Sequence, residues 1–444
     1  MAGTHAADEL LTEARARELA GRVLALSSAR ETFVTIRDAW TGNTRSAVNR
    51  ITTAGEVRDT VVSVTARDGR REATVTTNRL DEPGLRAAAE AAAEQAGLAP
   101  ENPELAPLLG PQEYEESRGF HGATAELGPE ARSRVAADAI AAAARDGLEA
   151  AGFLTANASA TAVASSTDLF AWHRATSVDY ELTVRPPDGS GSGWAGAAHR
   201  DWAEVDIPAL HGRAVERAVR SREPAPLAPG DYPVVFTAEA VSDLVGLLAG
   251  SLDARAADEG RSAFSAPDEG TKVGERLLDP KFTLVSDPVA LGSAPWQGDG
   301  LPLRRQAWFE EGRLARLSYD RYWAGRRGVE PTGRPGSLRM SGGDATLEEL
   351  VRGLDRGLLV TRLWYIRRID PRTILYTGLT RDGVFLVEGG EVVRPVNNFR
   401  WNDSPLAAFA SIEALGRPRR VAATREVPPA RLSSFHFSTV SEAV

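Results

Sequence analysis

Cysteine is absent from the 444 residues. That single absence excludes disulfides, thiolate zinc sites, iron–sulfur clusters and cysteine nucleophiles. Histidine is scarce: His5, His121, His173, His199, His211 and His436 make up the whole set. None has a histidine partner at ligand spacing on an expected helix, so there is no H-E-x-x-H zinc helix. Neither a G-x-S-x-G elbow nor a Walker loop occurs. The run Gly189-Ser190-Gly191-Ser192-Gly193 lacks the strand-then-helix setting that turns a glycine loop into a phosphate cradle. Lysine is nearly missing too. With only Lys272 and Lys281, almost all positive charge is arginine, which suits planar, bidentate recognition of carboxylates.

The net charge of −9 and a pI near 5.4 lack the basic face that phosphate binding needs, so no nucleic-acid partner is expected. No apolar run reaches the roughly 20 residues of a membrane span, and Met1 to Leu11 is polar and acidic, unlike a signal peptide. A cytoplasmic protein without a membrane partner is therefore expected. What is there is an ordinary globular composition, 42% hydrophobic and 25% charged, long enough for two domains.

The periodicities place a helix from Ala6 to Ala29 and a strand from Thr32 to Arg37. Two further strands, Val61 to Ala66 and Glu72 to Thr77, flank the hairpin turn Arg67-Asp68-Gly69-Arg70. Helices follow over Gly84 to Ala96 and from Pro129 to Gly147 or Gly152, separated by a Pro/Glu/Gly-rich surface connection from Pro100 to Gly119. Ser177 to Arg185 alternates cleanly, with Val178, Tyr180, Leu182 and Val184 on one face. Asp188 to Trp194 reads as a flexible loop, and Ile207 to Ser221 as a helix. The proline cluster Pro224, Pro226 and Pro229 marks a boundary between residues 1–225 and 226–444. Beyond it come a strand at Pro233 to Phe236 and an amphipathic helix at Ala238 to Leu252. Short strands then follow, with one further helix at Thr346 to Arg356. The expected class is α+β: an amino-terminal α/β sandwich on an antiparallel-rich sheet, then a mainly β domain forming a distorted barrel or sandwich.

The densest unusual chemistry lies in three blocks: Arg362 to Arg368, Thr377 to Gly383 and Asn397 to Asp403. Trp364, Tyr365, Arg367, Arg381, Asp382, Asn398, Arg400 and Trp401 combine aromatic, arginine, carboxylate and amide groups. A peptide-binding cleft uses the same set, because arginine meets carboxylates, aromatics give rigid contact area and amides satisfy an extended backbone. A β-rich core with solvated edge arginines accounts for the same residues equally well. His199-Arg200-Asp201 is the least ordinary histidine cluster, and a solvated strand end is the simpler reading of it.

These blocks, in this order, resemble the TldD/PmbA family, on its PmbA (TldE) side. The likeness begins at Thr77-Asn78-Arg79-Leu80 and takes in Gly191 to Ala195, Gly230 to Phe236, Gly260 to Phe264 and Asp279 to Asp287. It ends in Trp364 to Arg367, Thr380 to Gly383 and Asn397 to Asp403. The resemblance implies two domains, with two subunits enclosing a central cavity and together degrading unfolded peptides. In the family's TldD subunit an H-E-x-x-x-H helix and a later cysteine hold zinc. Here the matching positions run from Val245 to Gly250 and contain neither histidine nor glutamate. The helix instead carries Val241, Leu244, Val245, Leu248 and Leu252 on one face.

The resemblance thus implies a zinc-free, non-catalytic subunit with no metal or cofactor of its own, paired with a zinc-bearing TldD-like partner. Such a subunit completes the chamber and contributes to holding an unfolded peptide; a homodimer stays open beside the heterodimer. Two other readings compete. One is a stand-alone hydrolase or biosynthetic enzyme using His173, His199 and Asp201, and the other a peptide-binding regulator that cleaves nothing.

Overall fold

The computed structural model describes residues 10–267 and 270–442. His5 and the first turn of the helix expected from Ala6 lie outside the described residues. Helix α1, Glu13–Leu26, starts where the Thr12 side chain accepts from the Arg15 N–H. Strands β1 (Glu31–Ala47) and β2 (Arg50–Asp68) form a long antiparallel hairpin. Its two-residue turn puts Val48 and Asn49 at φ 48° and 54°. The Asn49 amide bonds Leu148 and Ala150 and holds that turn. Strand β3 (Arg71–Thr77) pairs with β2 through a turn in which Gly69 takes φ 61°, the left-handed conformation glycine tolerates.

Helices α2 (Glu82–Leu98) and α3 (Pro129–Arg145) precede strands β4 (Glu149–Ser165), β5 (Phe170–Arg185) and β6 (Gly193–His199), and helix α4 (Ile207–Arg220) follows. The six strands make one antiparallel sheet in the order β3-β2-β1-β4-β5-β6. All four helices cover one face. Ala16, Leu19, Val23 and Leu85 pack on Val34, Val62 and Val64, while Ala139, Ala143 and Ala214 pack on Val178, Tyr180 and Leu182. The opposite face is polar, with Thr41 donating to Asn157, and Asn157 to Ser177.

Three sequence expectations are corrected here. Strand β1 runs ten residues beyond Arg37, because its inward positions turn polar: Asp38, Thr44 and Ser46 are all buried. Strand β4 was not expected, since its inward residues are mainly alanine, a poor strand former. The expected loop through Trp194 gives way to β6 at Gly193, where a β-carbon would stand 2.2 Å from the Ala214 carbonyl. Only glycine lets α4 approach the strand so closely.

After the proline-rich link come β7 (Gly230–Phe236) and α5 (Ala238–Ala249). One sheet then contains β10 (Arg313–Leu314), β9 (Gln306–Glu310), β8 (Leu284–Ser286), β11 (Leu338–Met340), β20 (Arg425–Val427) and β19 (Arg419–Ala422), in that order. The other is ordered β13 (Leu363–Asp370), β14 (Leu375–Thr380), β17 (Asn398–Asp403), β21 (Ala430–Ser441), β7, β12 (Arg356–Val360), β15 (Val384–Glu388) and β16 (Glu391–Pro395), with β18 (Ile412–Leu415) paired to β21. Neither sheet closes, so the arrangement is a sandwich and not a barrel. A short helix, α6 (Leu347–Arg352), begins in a full capping box between Thr346 and Glu349. Helix α5 shares one core with both sheets, through Val241, Leu244, Val245 and Leu248 among Phe236, Trp308 and Phe435. No described helix is long and apolar enough to cross a membrane.

Candidate functional site

Burying one stripe of α5 leaves Glu239, Ser242 and Asp243 of its other stripe facing a cleft. That cleft, about 420 Å³, lies between the two domains. Asp179, Glu181 and Trp194 of β5 and β6 form one wall; Arg362 just before β13, Trp364 and Tyr365 of β13 and Arg425 of β20 form the other. Asp179 and Glu181 reach it because strand alternation puts them on the helix-free side of the first sheet.

The charges are unevenly satisfied. Burial alone would raise the Glu239 carboxyl, but Arg419, bonded to it, and Arg217 outweigh burial and hold it at about 2. Arg425 donates to the Ser242 carbonyl and hydroxyl at 2.8 and 3.0 Å. Asp243 makes no hydrogen bond or ion pair among the described residues. Burial pushes its carboxyl up to about 7, and the charges of Arg425 and Arg362 offset only part of that. Burial, with help from Glu181, likewise lifts Asp179 to about 6. Two carboxyls raised toward neutrality therefore line one aromatic-lipped cleft, which makes it the candidate site.

The eight sequence-predicted residues fall in separate places. Trp364 and Tyr365 stand at the cleft mouth, 38% and 51% exposed. Tyr365 takes φ 51° at the irregularity between Trp364 and Arg367 in the β13–β14 pairing. Arg381 stacks on Trp364 at 4.1 Å and Arg367 on Tyr365 at 4.3 Å. Asp382 is 1% exposed. It accepts from Ser192 of the first domain and from Arg362 at 2.8 Å, so it ties the domains together. Asn398 accepts from Thr380 and lines a different cavity, beside Gly189 and Ser192. Arg400 is exposed and donates to Thr377. Trp401 is wholly buried against Phe435, a core residue that no ligand in the cleft can touch.

Sequence reasoning missed Asp243, Ser242, Glu239 and Arg425. The i, i+3, i+4, i+7 spacing of Glu239, Ser242, Asp243 and Gly246 was the available signal. Among the described residues no histidine lines the cleft. His173 is buried against the Gly292 carbonyl, and burial lowers its pKa. His199 bonds the backbone of Asp201, and Arg200 braces Leu291, Thr176 and Ser293.

The positions matching the zinc helix do not fit a metal. Val245 is fully buried in the core, and the Arg425 guanidinium lies 3.1 Å from where a Gly246 β-carbon would stand. Gly250 closes the helix. None offers a donor atom on its side chain, and a guanidinium opposes a dication. Among the described residues no three histidine, aspartate or glutamate side chains converge on a metal-sized site.

A helix-covered antiparallel sheet joined to a two-sheet β domain, with a junction cleft over one buried helix, defines a two-domain α+β protein. Residues 229–439 match the family model for the PmbA/TldA metallopeptidase C-terminal domain, and that match assigns this domain to the family. Its fold is that of TldE from Thermococcus kodakarensis, at TM-score 0.83 and 19% identity over 95% of this chain and 99% of that one. Two proteins described as proposed modulators of DNA gyrase share it. The one from Thermotoga maritima gives TM-score 0.82 at 19% identity, covering 95% and 100% of the two chains. The one from Bacteroides thetaiotaomicron gives 0.83 at 18%, covering 97% and 100%. No curated protein matches the sequence.

Proposed function

We propose that this chain is the zinc-free, non-catalytic subunit of a TldD/PmbA-type metallopeptidase, pairing with a zinc-bearing relative and helping to hold an unfolded peptide. One observation carries the reading: Arg425 occupies the space over Gly246, on the helix where the family's zinc-bearing subunit has its glutamate. A glutamate at that position would pair with the guanidinium and lose its freedom to act as a base. The cleft remains furnished for an extended chain, with two aromatic rings at its mouth and carboxyls and arginines within.

The test is co-expression with an H-E-x-x-x-H relative, followed by assay of an unstructured peptide. Co-purification and chelator-sensitive cleavage by the pair, with none by this chain alone, is the expected result. Chelator-sensitive cleavage by the isolated chain would overturn the proposal. Peptide binding without cleavage, even with the partner present, would favour a regulator instead.

A further inference from the structure

A second cavity, about 320 Å³, lies on another side of the domain junction, between α4 and the β12–β15–β16 edge with α6. Its floor is apolar: Leu347 and Val351 from one face of α6, with Leu359, Phe385 and Val392 from the strands. Its rim is cationic, carrying four arginines, Arg213, Arg217, Arg220 and Arg352, against two carboxylates, Glu216 and Glu348.

Two of the four arginines, Arg213 and Arg352, have no carboxylate partner among the described residues. Glu216 is taken by Arg220 at 3.1 Å, and Arg220 also lies over the Phe385 ring at 5.7 Å. Glu348 belongs to the first turn of α6, where a negative charge favours the helix dipole. Arg213 and Arg352 make no hydrogen bond or ion pair among the described residues. Arg217 is largely buried and donates only to the Trp194 carbonyl, at 2.8 Å; burial lowers its pKa, the Glu239 charge opposes that, and the nearby Arg213 charge adds to it. An apolar floor gains from covering by hydrocarbon, while the unpaired Arg213, half-buried, and Arg352, exposed, gain from an anion. The volume falls at the small end of ligand pockets, roughly 300–1,000 Å³.

We propose that this cavity binds an amphipathic carboxylate: an apolar group seated on Leu347, Val351 and Phe385, with its carboxylate held by Arg213 and Arg352. Two sources share that chemistry, a free medium-chain carboxylate and the C-terminus of a peptide ending in an apolar residue. The site does not depend on the reading of the cleft, because none of these residues lines it.

Calorimetric titration of the full chain tests the proposal. The ligands are octanoate, octylamine and octanol, then Gly-Gly-Leu as the free acid and as the amide. Octanoate or the free-acid peptide is expected to bind saturably, octylamine and the amide not, and octanol weakly. The paired substitution R213Q/R352Q, on side chains that bond nothing, is expected to weaken carboxylate binding by about tenfold or more, as losing charge-assisted bonds does. Saturation by octanoate alone assigns the site to a free carboxylate, and tighter binding of the peptide assigns it to a chain terminus. Equal binding of octanoate and octanol, affinity unchanged in R213Q/R352Q, or no saturation by any carboxylate would overturn the proposal.

Discussion

The guanidinium of Arg425 and the bare α-carbon of Gly246 are fitted to one another, with the Nη1 atom 3.1 Å from the missing methyl position. Replacing Gly246 by alanine adds about 1 kcal/mol of helix propensity but crowds an arginine anchored on Ser242. A nearly neutral change is expected in the native background, and a gain of about 1 kcal/mol once Arg425→Ala has cleared the space. Chemical denaturation of the four proteins measures it. A full gain in both backgrounds would show that the guanidinium does not rest there.

Asp243 should set a pH dependence. Its folded carboxyl titrates at about 7, above the unfolded value, so between these two values the folded state holds more protons than the unfolded one. Stability contributed by this group is therefore present at low pH and declines as pH rises toward and through 7. Asp243→Asn should raise the melting temperature at pH 8 and leave it unchanged near pH 4. An equal shift at both values would sink the assignment.

Glu239 behaves in the opposite sense. Its carboxyl, held at about 2, stabilises the fold above the unfolded carboxylate value, and that contribution is lost as pH falls through the range between the two. Glu239→Gln removes the counter-charge of Arg419 and should cost about 1.5–3 kcal/mol at pH 7, with the deficit narrowing toward pH 2. Urea unfolding across pH follows it.

Asp382 combines a left-handed backbone, φ 58°, with bonds to Ser192 and Arg362 from the two domains. Asparagine tolerates that conformation and alanine does not. Asp382→Ala should lose about 1.5–3 kcal/mol and expose the link at 221–229 to protease, with Asp382→Asn milder in both. Identical behaviour of the two variants would remove the backbone from the explanation.

Neighbouring residues of one motif should respond oppositely. Trp401→Ala empties a core position and is expected to cost about 3–5 kcal/mol, whereas Arg400→Ala, exposed on the same strand, should stay within about 0.5 kcal/mol. Thermal melts of the two variants suffice.

Local pattern made much of the fold legible. The alternation Val178, Tyr180, Leu182, Val184 marks β5, and the helix expected from Thr346 to Arg356 is α6, which stops at Arg352 before Arg356 opens β12. Strand β1 was read short because Asp38, with Arg58 and Thr60 as partners, fills an inward position that a pattern argument reserves for apolar side chains. The same holds for Arg132, fully buried on α3 with Glu56 and the Leu127 carbonyl. At the site, Trp364 and Tyr365 were legible as aromatics in a charged block. Asp179 and Asp243 were not, because each sits in a regular element and becomes unusual only through the groups brought beside it at the cleft. Trp401 misled for the reverse reason: a motif's spacing does not say which side of the strand faces solvent.

Arg217 lines the second cavity, and its charge also helps hold Glu239, which faces the cleft, ionised. One cation shared in this way makes the two cavities thermodynamic neighbours. An anion that drew on Arg217 would raise the proton affinity of Glu239, and by reciprocity acidification that protonates Glu239 would free Arg217 to grip the anion harder. The two hollows would then communicate through a single side chain without any domain having to move.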